Sequence, residues 1–193
     1  MAQVFKPKSK KDFMPLKRIY IARAGARYSQ IINDKVLNKD LNETYILGLS
    51  LAEPVVFWDV FEVSQLQSNW IPSKLKGSSK YLIFVSTLGP RIDEEIEKLS
   101  QISTFRAHLL DAWASEALEK LNDSFEKWFS STYTVKMTRR FSPGYEDLHI
   151  TINGNYVDLL GIQEYIKVLP TGVMIPRKTT TCIVGLQESL KSQ

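Results

Sequence analysis

Apolar and polar positions recur along this chain with two periods, and the changes from one period to the other predict the elements. From about Gln30 to Leu51, the residues Ile32, Val36, Leu41, Tyr45 and Leu49 recur at helical spacing, and Pro54 ends the run. Val55 to Val63 is rich in aromatic and β-branched residues and reads as a strand. Ser64 to Ser79 is polar, contains Pro72 and Gly77, and reads as a loop with room for one short helix. Tyr81-Leu82-Ile83-Phe84-Val85 is apolar throughout, which predicts a central strand covered on both faces.

Pro90 suits the first position of a helix marked by Ile92, Ile96 and Leu99. Ser103 or Thr104 can cap the next helix, which runs to about Phe129. Its apolar residues Leu110, Trp113, Ala114, Ala117, Leu118, Leu121, Phe125 and Trp128 fall on one arc. Tyr133 to Met137 alternates like a strand and leads to the turn Arg140-Phe141-Ser142-Pro143-Gly144-Tyr145. Asn153-Gly154 predicts a type I′ hairpin over Ile150 to Val157. Tyr165–Leu169 and Val173–Ile175 flank a further turn at Pro170-Thr171-Gly172, and Thr179 to Val184 is a last strand. Helices in the middle and strands towards both ends predict an α+β fold, one domain with a mainly antiparallel twisted sheet packed with helices.

A chain of 193 residues with 44% hydrophobic content can bury one core. Its calculated pI of 9.0 comes from one end. Residues 1–27 hold eight basic residues against one acid, Asp12, whereas the other 166 residues hold 17 basic and 20 acidic, a net −3. Residues 1–15 therefore read as a flexible basic arm and residues 16–193 as the folded domain. The −3 of the remainder argues against a nucleic-acid partner, although the arm can dock on an acidic one. No apolar run approaches the roughly 18 residues a membrane span needs. A single cysteine, Cys182, excludes an intrachain disulfide and fits a reducing cytoplasm.

Side-chain catalysis is hard to assemble from these residues. His108 and His149 are the only histidines, and no Cys, His or carboxylate grouping has metal-ligand spacing. Gly-rich phosphate loops and a nucleophile elbow are both missing. The Arg140–Tyr145 turn is better suited to binding. Pro143 fixes φ, Gly144 permits positive φ, Arg140 can hold a carboxylate through two hydrogen bonds, and Tyr145 offers a ring face. The same residues also make an ordinary Pro-Gly turn with a surface arginine.

Arg140-Phe-Ser-Pro-Gly-Tyr145 resembles the Arg-x-x-Pro-Gly-Tyr signature of the reactivation domain of cobalamin-dependent methionine synthase. Three further segments agree in order and spacing across roughly residues 80–186. Leu110-Asp-Ala-Trp-Ala-Ser-Glu-Ala-Leu-Glu119 is similar to the helix before the motif, and Thr171 to Thr181 to the Met-x-Pro segment after it. Ser86-Thr87-Leu88-Gly89 is similar to a pattern of free-standing members. The resemblance implies S-adenosylmethionine bound beside a corrinoid, with an electron donor such as flavodoxin. It implies that Arg140 holds the ligand's carboxylate, that the backbone of Ser142, Pro143, Gly144 and Tyr145 meets the adenosyl part, and that Glu119 adds a polar contact. Glu119 lies nearly opposite the apolar arc of its helix, on a side that Ala112 and Ser115 keep low. The family has helix where Asn153-Gly154 predicts a hairpin. With no cobalamin-binding, homocysteine or folate module in the chain, the cobalamin would arrive on a methionine synthase or another corrinoid protein. The expectation is an accessory reactivation component, not catalytic alone. Two alternatives stay open: a docking module that has lost the ligand, and a nucleic-acid binder acting through the arm.

Overall fold

The computed structural model describes residues 2–27 and 34–187. Five strands form one antiparallel sheet in the order β1-β2-β3-β7-β4: β1 (Gln3–Phe5), β2 (Val55–Glu62), β3 (Lys80–Thr87), β4 (Lys136–Met137) and β7 (Thr179–Gln187). A two-stranded ribbon pairs β5 (Lys167–Val168) with β6 (Met174–Ile175). The helices are α1 (Lys17–Arg23), α2 (Lys35–Leu51), α3 (Arg91–Ile102), α4 (Thr104–Tyr133) and α5 (Ile152–Leu160). The predicted α+β class and antiparallel sheet are those observed. No helix among the described residues is long and apolar enough to cross a membrane.

Alternation along the strands divides the core in two. Val56, Trp58, Leu82, Phe84, Cys182 and Val184 face the helical layer, built on α4 through Leu110, Trp113, Leu121 and Phe125. Phe57, Tyr81, Ile83, Val85 and Ile183 face the other side, where α5 contributes Ile152, Tyr156 and Leu160. β3 is thus covered on both faces, as its unbroken apolar run predicts. In α2, Leu41 and Tyr45 are buried, but Val36 is 73% exposed. The start predicted near Gln30, with Ile32, lies outside the described residues.

Four sequence expectations differ from the structure. Residues 3–5, within the stretch read as a flexible arm, pair with Phe57 and its neighbours in β2, and Phe5 and Phe13 are buried. Two aromatic side chains anchor the segment, which charge counting overlooks. Ser64–Ser79 carries two complete 3₁₀ turns, Ser68–Trp70 and Ser73–Leu75, and overlaps the end of a third, Val63–Gln65. The third difference is at α4, which continues through Tyr133 to a left-handed Thr134, so the strand predicted from Tyr133 shrinks to Lys136–Met137. Phe129 and Tyr133, ring centroids 4.8 Å apart, prolong the apolar face by one turn.

Lastly, Asn153-Gly154 lies within α5 and not in a hairpin. Asn153 is buried, accepting a hydrogen bond from the Thr181 hydroxyl at 2.5 Å and donating to the Gly172 carbonyl at 2.8 Å. Ile152, Tyr156, Val157 and Leu160 share one buried helical face, and this tertiary burial overrides the local turn preference.

Candidate functional site

Beyond β4, the chain is tied to the last strand at two further points. The Thr138 amide donates to the Gly185 carbonyl, and Phe141 exchanges both backbone hydrogen bonds with Ile183. Between these ties, Arg140 reaches α4. There Glu119, Asp123 and Glu126, spaced four and three residues apart, share one helical face. The guanidinium donates to Glu119 at 2.6 Å, Asp123 at 2.8 Å and Glu126 at 2.6 Å. Glu126 is the inner partner, with its side chain 18% exposed, whereas Glu119 and Asp123 are more than half exposed.

One guanidinium against three carboxylates gives the cluster a formal charge of −2. Burial alone would lower the pKa of Arg140, but the charge of Glu126 and hydrogen bonds to Asp123 and Glu119 outweigh it and raise it. Glu126 is raised by burial; the attraction of Arg140 opposes the rise, and repulsion from Asp123 and Glu119 adds to it. The two shifts are compatible. The pairing dominates for Arg140, while for Glu126 burial and like charges exceed what the single cation returns.

The turn that follows is internally bonded. Gly144 adopts φ +94°, and its amide donates to the Leu148 carbonyl at 2.7 Å. The Tyr145 amide donates to the Ser142 carbonyl, so both amides serve the turn itself. Glu146 pairs with Lys74 at 2.6 Å and Asp147 accepts the Ser73 amide, fastening the turn to the 63–79 segment. Pro143 is buried, and the Tyr145 ring is 71% exposed. The Ser142 hydroxyl lies 3.4 Å from the Cys182 sulfur. Burial pushes that thiol up to about 12, as for a packed small hydrophobe.

A cavity of about 660 Å³ opens here, lined by Glu119, Glu126, Arg140, Ser142, Tyr145 and Thr180 among others. It brings together four of the residues singled out by sequence; Pro143 and Gly144 shape the turn without lining it. Asp123 and Glu126 were not anticipated. Their spacing from Glu119 was readable, but a carboxylate stripe opposite an apolar arc looks the same as a solvated face until Arg140 is placed against it.

The other matching segments converge on the same helix. Lys178, its side chain 13% exposed, pairs with Asp111 at 2.7 Å and donates to the Ser115 hydroxyl at 3.0 Å. This covers the α4 face that was expected to be low, and Ala112 is itself buried. The Ser86 hydroxyl donates to Asn122 of α4, and the Thr179 hydroxyl donates to that of Thr87 at 2.9 Å.

No protein-family model matches the chain, and no curated protein matches it in sequence. Among solved structures it is similar to the crystal structure of the MetH reactivation domain bound to AdoHcy. The TM-score is 0.68 and the identity 12%, over 96% of this chain and 78% of that one. The chain has the fold of the MetH reactivation domain.

Proposed function

We propose that this chain is an accessory reactivation protein, binding S-adenosylmethionine in the cavity beside Arg140 and offering it to inactive cob(II)alamin on a methionine synthase or another corrinoid protein. The observation that carries this reading is the Arg-x-x-Pro-Gly-Tyr turn bordering a cavity of about 660 Å³ in a reactivation-domain fold. When bound, S-adenosylmethionine would supply the methyl group that traps the partner's cobalt once a flavodoxin-like donor had reduced it, leaving S-adenosylhomocysteine. The fit is one of size and charge. The volume falls within the roughly 300–1,000 Å³ of small-molecule sites. A ligand with an ammonium, a sulfonium and one carboxylate carries +1, opposite to the −2 of the cluster.

Arg140 takes the ligand's carboxylate in exchange for Glu119 or Asp123, its two more exposed partners. The displaced carboxylate is then free to accept from the ligand's ammonium. Tyr145 lays its exposed ring on the adenine, and Ser142 stands at the inner wall. Calorimetric titration with S-adenosylmethionine, comparing wild type with Arg140→Ala, tests the reading. Absence of binding, even with a cobalamin-loaded partner present, sinks it.

The three-fold pairing of Arg140 favours one competing reading: a docking module whose arginine has become structural. That reading requires a partner complex unaffected by Arg140→Ala and no affinity for S-adenosylmethionine.

A further inference from the structure

A second cavity, of about 950 Å³, shares no lining residue with the first. It lies where the N-terminal segment crosses the end of α2 and the start of β2, and Gly89, Pro90 and Pro176 line it too. Its walls are largely apolar. Phe13 and Phe57 are buried in them, and Tyr165 stands against Phe57 with ring centroids 5.0 Å apart. Lys6, Lys8 and Lys10 line the same cavity, all exposed, and none has an ion-pair partner among the described residues. The one acid in the lining, Glu53, is paired with Arg91 at 3.6 Å.

Three unpaired cations over a floor of rings and prolines specify a ligand with two parts. Lysine ammonium groups act as point charges suited to phosphate. The aromatic walls suit a flat apolar body, and the volume is that of a small-molecule pocket and not of an extended protein interface. We infer that the cavity between the N-terminal segment and the α2–β2 connection binds a small aromatic phosphate, its ring against Phe57 and Tyr165 and its phosphate among Lys6, Lys8 and Lys10. The site is separate from that of Arg140 and does not depend on S-adenosylmethionine binding.

Fluorescence titration of the full chain with 1-naphthyl phosphate tests this, with 1-naphthol and inorganic phosphate as separate arms. The expected result is saturable binding at low salt, at least tenfold tighter than either control and undisturbed by added S-adenosylmethionine. Replacing Lys6, Lys8 and Lys10 together by Gln should weaken it roughly tenfold. The melting temperature should not change, because these side chains hold nothing in place. Tyr165→Ala should weaken the probe but not inorganic phosphate. No saturable binding overturns the inference, and so does equal affinity in the triple variant. It is equally overturned if an acidic aromatic peptide occupies the cavity and naphthyl phosphate does not displace it.

Discussion

Arg140 and Glu119, 21 positions apart, meet at 2.6 Å and join the turn to the long helix α4. The contact belongs to a set of three, so the arginine also neutralises part of a carboxylate stripe. Arg140→Ala would leave Glu119, Asp123 and Glu126 facing one another without a cation. The expected loss is about 1.5–3 kcal/mol, the range for hydrogen bonds to charged groups, and most of it comes from Glu126, the least exposed partner. Urea unfolding measures it. Arg140→Ala combined with Glu126→Gln should recover part of the loss, and failure to recover any would show that repulsion is not its source.

The −2 charge of the cluster makes a second prediction, about ligand choice. S-adenosylmethionine is +1 and S-adenosylhomocysteine is neutral, although their shapes are nearly alike. The charged ligand should bind more tightly by roughly three- to tenfold at low salt, and the gap should narrow as salt screens the cluster. Paired calorimetric titrations at two ionic strengths decide it. A preference for the neutral ligand would mean that shape, and not charge, governs the cavity.

Glu126 gives a prediction in pH. Burial raises its pKa above the ordinary 4.5 despite the neighbouring Arg140. A raised carboxyl keeps its proton longer in the folded chain than in the unfolded one, so the folded state binds more protons between the two values. Stability from this group therefore falls as pH rises through that window and is level above it. Relative to Glu126→Gln, the wild-type melting temperature should drop as pH rises from about 4.5 and then run parallel. A wild type that gains on the variant with rising pH would contradict the assignment.

The sequence disclosed this site unevenly, for physical reasons. The central strand and α4 were legible because their apolar patterns are long and answer to one period each. A motif points to Arg140, Ser142 and Tyr145, and the resemblance of its helix points to Glu119; the four line one cavity. Asp123 and Glu126 escaped because their partner lies 17 and 14 positions along the chain, beyond helical periodicity. The edge strand β1 escaped because a three-residue pairing has no periodicity to read, and the lysines that follow it disguised Phe5. Asn153 misled because its side chain serves a tertiary contact while its dipeptide imitates a turn.

That contact carries its own prediction. Asn153 spans from the Thr181 hydroxyl to the Gly172 carbonyl, and a β-carbon on Gly172 would lie 2.7 Å from the Ile150 carbonyl oxygen. The 150–153 turn, the 171–173 turn and β7 are thus fitted together without slack. Asn153→Ala leaves a buried hydroxyl and a carbonyl unpaired, at about 1–3 kcal/mol each when no substitute is found. Thermal unfolding should show a loss of several degrees, at roughly 2–4 °C per kcal/mol for a chain of this size. An unchanged melting temperature would mean that water replaces both bonds.

Two glycines within helices should respond oppositely to the same substitution. Ala is favoured over Gly in a helix interior by about 0.5–1 kcal/mol, so propensity alone predicts a gain at both Gly48 in α2 and Gly154 in α5. At Gly154 the new methyl would meet only a Val168 methyl at 4.0 Å, so Gly154→Ala should stabilise by a few tenths to about 1 kcal/mol. At Gly48 it would collide with the indole of Trp113, which is fully buried and packed edge-on against Tyr45. The ring cannot retreat without disturbing the core between α2 and α4, and overpacking of this kind costs about 1–3 kcal/mol. Gly48→Ala should therefore destabilise by about 1–2 kcal/mol net, once the helix gain is subtracted from that cost. Denaturant unfolding of the two variants side by side reads both signs. Stabilisation at Gly48 would show that α2 and α4 can separate, and that the indole does not fix their approach.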